Sequence, residues 1–471
     1  MKTKILFVQN FVDECLGPMY LSSALKKKGY DCAAAIGRNY KNDIFPRVVE
    51  EKPDVIGISI MTFSEKWALG IARNIKRDFS YVKVVFGGPH PTYFHEYIDE
   101  KDVDIMVTGE GEEAFVDLVD ALTNNSKIDS IKNVYCKVEG KIYRNPVRPV
   151  VENIDDIEFP DRELYLPYSW RVGHKEEQYV LTTRGCPFSC TYCYNNATTD
   201  YYGGEKKRFV RLRSVDNVFH ELEYIRDKIK PRKIFFVDDY LGAGKTEWLY
   251  SFLPRYAKTI NIPFYICFRA NLLASNPGLV KLLKEAGCFQ VGIGVECGNE
   301  RIRNEVIGKR LKDRDIIAAA ENLHREGIYV RTCNLLGIPG TALENEYETI
   351  ALNQKIKTEF PHPYLFYPFP KTALTQIAID KGLFKKDNYE QQVKSFHGGS
   401  ILDLEHKTEI ENIHKLFQLA ITFPFLMPII KKWVKYEHPR INKAIFKILL
   451  FIKFKKYHKV SWTKAVLNLF R

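Results

Sequence analysis

Short apolar runs separated by amphipathic stretches set the rhythm of the first third of the chain. Lys4-Ile5-Leu6-Phe7-Val8, Asp31 to Ile36, Val55 to Ile60, Val82 to Phe86 and Asp104 to Val107 read as strands. The helical pattern between them covers Leu16 to Lys28, Phe63 to Phe79 and Glu113 to Leu122. Strands alternating with helices predict an α/β fold with a parallel, doubly wound sheet. Ligands of such sheets sit beyond the carboxyl ends of the strands. Those ends read Gln9-Asn10, Ser59-Ile60-Met61-Thr62, Gly87-Gly88-Pro89-His90 and Gly109-Glu110-Gly111-Glu112, rich in the small and polar residues a binding edge needs.

Prolines at 146, 149, 160 and 167 interrupt this rhythm, so a domain over 1–145 and a linker over 146–177 are predicted. A second alternation then fills 178–400. Its strands lie near Tyr179–Thr183, Lys233–Val237, Phe264–Arg269, Gln290–Val295, Tyr329–Leu336 and Tyr364–Tyr367, with helices such as Val215–Asp227 and Ile316–Arg325 between them. Six βα units predict a barrel or partial barrel with its chemistry at the carboxyl ends of the strands. From 401 to 471 the pattern is helical. The longest charge-free run there, Leu416 to Ile430, contains Pro424 and Pro428. It falls short of the roughly 20 apolar residues that a spanning helix needs.

Composition changes little in this picture. With 45% hydrophobic and 27% charged residues the chain is ordinary for a globular protein, which excludes disorder, collagen and coiled coil as its main character. The charge is informative through its location. From Leu426 to the end stand twelve Lys or Arg and one acid, Glu437, so this stretch carries +11 of the +12 formal net charge. A basic appendage on a neutral body disfavours a nucleic-acid partner, which needs cations spread near the site. Trp433, Trp462 and several Phe are interleaved with these cations. That mixture suits an anionic membrane surface through 426–471, and equally a helical cap over the barrel mouth. The first residues hold only Ile5 to Val8 as an apolar run, too short for a secretory signal. The expected location is the cytoplasm, peripheral on the inner membrane face if the tail binds lipid.

Of ten cysteines, Cys186, Cys190 and Cys193 stand on one loop after a predicted strand, with Arg184-Gly185 making the turn. In a cytosolic chain such a cluster points to metal or redox chemistry. Three thiolates on one loop ligate three irons of a 4Fe–4S cluster and leave the fourth open. Zinc completed by one distant ligand is the alternative. Asp238-Asp239 ends the second strand of this half, either for a ligand or for capping a helix. Gly242-Ala243-Gly244-Lys245-Thr246 imitates part of a phosphate loop, but Asp239 stands where the full pattern has glycine.

Cys186-Pro187-Phe188-Ser189-Cys190-Thr191-Tyr192-Cys193 resembles the C-x3-C-x-aromatic-C signature of the radical S-adenosylmethionine (SAM) superfamily, with Tyr192 in the aromatic place. The resemblance implies a (βα)6 partial TIM barrel whose three cysteines hold the 4Fe–4S cluster. It also implies that the amino and carboxylate groups of SAM chelate the open iron, and that an electron cleaves SAM to methionine and a 5′-deoxyadenosyl radical. Gly292-Ile293-Gly294-Val295-Glu296-Cys297-Gly298 resembles the GVESG stretch of this superfamily, with Cys297 in the serine place. By that resemblance Glu296 faces SAM. Arg269, at the end of the preceding strand, is placed to fork onto the SAM carboxylate. Gly337-Ile338-Pro339-Gly340 resembles the family's GxPG turn, where Gly337 and Pro339 bring backbone to the adenosyl group.

The first domain resembles the Rossmann-like cobalamin-binding domain fused ahead of such barrels. Ser59-Ile60-Met61-Thr62 matches its S-x-L-like site, Gly87-Gly88 its paired glycines, and Gly88-Pro89-His90 and Gly109-Glu110 look like stretches common in the fused architecture. The cobalt-ligating version carries D-x-H-x-x-G after the first strand. Here the loop reads Asp13-Glu14-Cys15-Leu16-Gly17-Pro18, without the histidine, so cobalamin held with no histidine on cobalt is expected. Together these features imply a cobalamin-dependent radical SAM enzyme that methylates an unactivated carbon. The alternative is cyclisation or oxidation of a tetrapyrrole or lipid-like substrate with the same cofactors. The expected partners are a small-molecule or lipid-like substrate and a reductant protein such as flavodoxin or ferredoxin. No single residue is marked as catalytic.

Overall fold

A computed structural model of the chain describes residues 3–205, 209–385 and 398–458. The chain divides into two compact units. One comprises Met1–Val180 with Tyr202–Ile234, the other Leu181–Tyr201 with the chain from Phe235 on.

The first unit is built on a seven-stranded sheet. In chain order its strands are β1 (Lys4–Gln9), β2 (Asp31–Ile36), β3 (Val55–Ser59), β4 (Lys83–Gly87), β5 (Ile105–Val107), β6 (Val134–Val138) and β7 (Lys141–Arg144), and the order across the sheet is β2-β1-β3-β4-β5-β6-β7. β1 to β5 pair in parallel. Period-two alternation sends Leu6, Val8, Ile56, Ile58, Val84 and Phe86 to one face, where Ala68, Ile71, Ala72 and Ile75 of the helix Glu65–Asp78 cover them. Ile5, Phe7, Val55, Val85 and Ile105 go to the other face, under the helices Leu16–Lys27 and Glu112–Thr123. With helices on both faces, the central positions of β1 to β5 are buried whichever way they point, which is why these strands read as apolar runs.

Two features of this unit escape the sequence pattern. β6 and β7 form an antiparallel hairpin around Glu139 and Gly140, both at positive φ, 50° and 76°. Two consecutive positive φ values make the tight turn whose twist matches the flanking strands. The predicted linker is also not free. Leu164 and Tyr165 are part of the core under β1 and β2, and the Tyr165 hydroxyl donates to Gln9 at 2.5 Å. Arg162 donates to Gln178 at 2.9 Å and pairs with the buried Glu221, which Arg213 also holds. The helix Val215–Tyr224, expected in the barrel, belongs by its contacts to the first unit.

The remaining strands are β8 (Gln178–Val180), the short β9 (Thr183–Arg184) and β10 (Arg211–Leu212), β11 (Ile234–Phe236), β12 (Phe264–Phe268), β13 (Cys288–Glu296), β14 (Tyr329–Leu336) and β15 (Phe360–Leu365). The second sheet runs β15-β14-β13-β12-β11-β8, and β12 to β15 pair in parallel. This sequential order is the partial barrel that the βα alternation predicts. The helix Lys407–Thr422 seals its later strands: Ile410, Ile413, Leu416, Phe417, Ala420 and Ile421, at helical spacing, pack on Leu336, Ile350 and Leu365. The helix Pro439–His458 follows, held by Asn442, which donates to Asn412 at 2.7 Å. Trp462 and the cations from Lys459 on lie outside the described residues. Among the described residues no helix is long and apolar enough to cross a membrane.

Candidate functional site

The cysteine loop leaves β9 through Gly185, whose φ of 84° the turn requires. Thr191 then pins it. Its N–H donates to the Ile307 carbonyl at 3.0 Å, its hydroxyl to the Val306 carbonyl at 2.8 Å, and its own carbonyl accepts from Leu374 at 2.9 Å. Asn196 donates to the Cys190 carbonyl at 3.0 Å, and Asn195 points its amide at the Cys193 sulfur, 3.5 Å away. Cys186, Cys190 and Cys193 are half-buried free thiols that line one cavity of about 440 Å³. Burial pushes the Cys186 thiol up to about 11 against the Phe188 N–H that favours its anion, and raises Cys193 in the same way. Metal capture at these thiols therefore releases protons. Among the described residues no group of three His, Cys, Asp or Glu closes around a single ion position. Three thiols on one loop that line a shared cavity fit a polynuclear cluster, which takes one thiolate per iron.

The same cavity is lined by Tyr192, Asn195, Asp239, Arg269, Gly292, Gly294, Glu296 and Lys309. Glu296 ends β13 at a register shift and sits at φ 61°, a conformation a non-glycine residue adopts at a cost. That turn brings its carboxylate to the Lys309 ammonium at 2.6 Å, both side chains nearly out of solvent. Tyr192 donates to the same carboxylate. Burial first, and then the charge of Glu296, hold that phenol well above its ordinary value. Gly294 makes room for the pair, because a Cβ there would lie 2.3 Å from Lys309 Nζ and 2.4 Å from Glu296 Oε1. The G-x-G-x-E pattern thus has a steric reason. Lys309 was not foreseen. It follows Gly308 in a turn after a short helix, and no motif announces it.

The other predicted residues divide. Arg269 is in the cavity wall, its guanidinium 3.6 Å from the centroid of the Phe188 ring and donating to the Lys309 carbonyl. Asp239 faces the cavity near Asn195, whereas Asp238 turns away and accepts from the N–H and hydroxyl of Thr182, each at 2.8 Å. Gly337 and Pro339 are not in the wall. The Gly337 N–H is taken by the buried Glu346 at 2.8 Å, and desolvation pushes that carboxyl up to about 8. The Gly242–Gly244 turn leans on Trp248 and Tyr240 and leaves no phosphate cradle, since a Cβ at Gly244 would lie 2.2 Å from the Tyr240 ring.

In the first unit the predicted contacts converge on the carboxyl ends of β3, β4 and β5. Ile60 N–H donates to the Gly87 carbonyl at 2.8 Å, and His90 N–H to the Ile60 carbonyl at 3.1 Å. Gly88, at φ 102°, lies so close that a Cβ would sit 3.1 Å from the Ile60 carbonyl oxygen. Thr92 ties Gly88 to Gly109, accepting from the Gly109 N–H at 3.0 Å. Above this floor Met61 is 48% exposed, unusual for a thioether at a strand end. His90 is buried against Phe94, and its Nε2 has no hydrogen-bond partner. Desolvation drops its pKa to about 4, so the imidazole is neutral. An exposed thioether, bare glycine backbone and a neutral buried imidazole nitrogen fit a large, flat, amide-rimmed ligand such as cobalamin. Glu110, also predicted there, is committed elsewhere: Arg211 holds both its oxygens, at 2.7 and 3.0 Å. In the loop after β1, Glu14 is buried and paired with His174 and Gln178, and burial pushes the Cys15 thiol up to about 11.

Residues 180–352 match the Radical SAM superfamily, and residues 14–119 match the B12 binding domain. The chain is 29% identical, over 86% of its own length and 86% of the relative's, to an uncharacterized methyltransferase of Pyrococcus horikoshii. It is 22% identical to the anaerobic magnesium-protoporphyrin IX monomethyl ester cyclase of Rubrivivax gelatinosus, over 77% of this chain and 66% of that one. Its fold resembles that of the radical S-adenosylmethionine methyltransferase TsrM from Kitasatospora setae, solved with cobalamin and a [4Fe-4S] cluster bound. The TM-score is 0.65 at 16% identity, covering 81% of this chain and 78% of that one. With a B12 binding domain ahead of a radical SAM domain in one chain, the protein belongs to the cobalamin-dependent radical SAM enzymes.

Proposed function

We propose that this enzyme is a C-methyltransferase acting on an unactivated carbon, with SAM, a 4Fe–4S cluster and cobalamin as its cofactors. The observation that carries the reading is the shared cavity: three half-buried thiols and a buried Glu296–Lys309 pair line it together. Cys186, Cys190 and Cys193 hold the cluster. Glu296, Lys309 and Arg269 face the amino-acid end of SAM, a carboxylate and two cations opposite an ammonium and a carboxylate. Tyr192 orients Glu296 through its hydroxyl. Aromatic walls from Phe188, Tyr240, Phe268 and Phe369 exclude water from the reacting atoms. Ser59, Met61, Thr62, Gly87, Gly88, His90 and Gly109 form the cobalamin floor. When bound, the reduced cluster supplies the electron that cleaves SAM, and cobalamin supplies the methyl group. The electron comes from a small reductant protein of the flavodoxin or ferredoxin type.

The basic tail docks the enzyme on an anionic membrane surface. Support comes from Phe425, Ile429 and Tyr436, 75%, 61% and 64% exposed, beside the exposed Lys431, Lys432 and Lys435. Ile430 and Val434 of the tail share a core with the helix Lys407–Thr422, Leu336 and Leu365, so packing on the barrel and docking on lipid are compatible uses of one tail. Similarity to the cyclase favours a second reading, in which the same cofactors close a ring on a tetrapyrrole or lipid-like substrate.

Anaerobic reconstitution tests the core of the proposal. One cluster per chain and reductant-dependent release of 5′-deoxyadenosine are expected, both lost in Cys186→Ala, Cys190→Ala and Cys193→Ala. Stoichiometric zinc in place of iron and sulfide refutes it. Metabolite and lipid profiling of a deletion strain then separates the two readings, since a missing methyl mass marks transfer and a missing ring marks cyclisation.

A further inference from the structure

Among the described residues Arg331 of β14 has no acid beside it. β13 presents no side chain at Gly292, and the strand register puts Cys267 of β12 and Arg331 of β14 on either side of that gap. Two residues along β14, Cys333 stands level with Gly294. Cys267, Cys333 and Tyr364 line the cavity, and these three surround the Arg331 guanidinium, with the Tyr364 side chain hydrogen-bonded to it. Arg331 Nε is buried without a hydrogen-bond partner. The acids facing the cavity are engaged elsewhere, Glu296 by Lys309 and Asp239 by Asn195.

Burial opposes the guanidinium charge, but a guanidinium stays protonated at neutral pH even where it is desolvated, so Arg331 is a cation. Its neighbours supply no counter-charge at neutral pH. Burial pushes the Cys333 thiol up to about 12 and raises Cys267 and Tyr364 as well. Arg331 is half-buried with its Nε shut from water; holding such a cation without an anion is costly, and a guanidinium is shaped to fork onto a carboxylate or phosphate. Arg331 itself lies behind the cavity wall, next to Cys267, Cys333 and Tyr364 of it, and the wall is otherwise largely apolar: Phe268, Leu335, Leu365, Phe366 and Phe369.

We infer that Arg331, with the Tyr364 hydroxyl, binds an anionic head group, carboxylate or phosphate, on an otherwise apolar substrate. The inference rests on reading this cavity as the chamber for SAM and substrate.

The test uses the reconstituted holoenzyme with SAM bound and no reductant, so that nothing turns over. Calorimetry compares hexanoate, hexyl phosphate and hexanol, which share a chain and differ in the head. At least one of the two anions is expected to bind wild type about tenfold or more tighter than hexanol. Arg331→Gln is expected to abolish that preference and Arg331→Lys to keep part of it, with SAM affinity unchanged in both. The preferred anion distinguishes a carboxylate head from a phosphate. Equal affinities in wild type, no binding of either anion, or a preference that survives in Arg331→Gln overturns the inference. So does a tenfold loss of SAM affinity in that variant, which assigns the guanidinium to the SAM carboxylate. Cleavage of SAM by reduced wild type is scored separately. Its absence counts against the reading of the cavity, whereas its presence without an anion preference counts against Arg331 alone.

Discussion

Replacing Lys309 with methionine leaves Glu296 charged in a site built for two charges. The side chains of Lys309 and Glu296 are 9% and 8% exposed, and their charged atoms are 2.6 Å apart. Breaking such a pair from one side costs about 3–5 kcal/mol, because the remaining ion keeps its desolvation penalty without its partner. Tyr192 still donates to Glu296, which offsets about 1 kcal/mol of that loss. Lys309→Met is therefore expected to destabilise the apoprotein by roughly 2–4 kcal/mol. Glu296→Gln strands the ammonium and is expected to cost a similar amount. The double variant removes both charges and keeps the volume, so it is expected to cost less than either single change. Urea midpoints of the four proteins at pH 7 give the coupling energy directly. A loss below about 1 kcal/mol in Lys309→Met would refute the reasoning. So would a double variant no more stable than the singles, since the pair would then not act as a unit. In holoenzyme, all three variants are expected to bind SAM more weakly, and unchanged affinity would mean that the pair serves only the fold.

Glu346 has its carboxyl raised from 4.5 to about 8 by burial. The folded state then keeps a proton that the unfolded chain releases, so this group lowers stability as pH rises from about 4.5 to about 8. Glu346→Gln preserves an acceptor for the Gly337 N–H. It is expected to gain on wild type by a few kcal/mol between pH 5 and 8 in urea denaturation, and parallel pH profiles would show that the group does not titrate in this range. The Co(II) form of the holoenzyme is expected to show no histidine nitrogen coupling in its electron paramagnetic resonance spectrum, and a splitting altered by isotope-labelled histidine would place a histidine on cobalt. Full-length protein is expected to co-sediment with anionic vesicles, with binding falling as salt shortens the Debye length from about 8 Å toward 3 Å. Neutralising Lys431, Lys432 and Lys435 to glutamine should reduce it by roughly 3 kcal/mol if each cation contributes about 1 kcal/mol. Equal binding by that variant would remove the tail from the interaction.

Local pattern carried much of this protein. Five parallel strands of the first unit are legible because a sheet covered on both faces fills the strand centres with apolar residues, and such a run is visible in the sequence alone. The cysteine loop is legible because its ligands lie within eight consecutive residues, so spacing is geometry there. The helix Lys407–Thr422 shows its buried stripe at helical spacing. What the tertiary structure decided are meetings between distant segments. Lys309 reaches Glu296 because a turn after a short helix folds back under the cysteine loop, which Thr191 clamps to Val306 and Ile307. Arg331 and Cys267 flank Gly292 only through strand register, which sequence alternation limits to one face but does not fix in height. Glu110 looked like a ligand contact by its motif, but Arg211, about a hundred positions later, takes its carboxylate. Prolines around 146–177 suggested a linker, yet Tyr165 and Arg162 are buried there, because proline ends regular structure without preventing packing. Periodicity reports which face of an element is buried. It does not report which charged side chain, far along the chain, will supply the partner that burial demands.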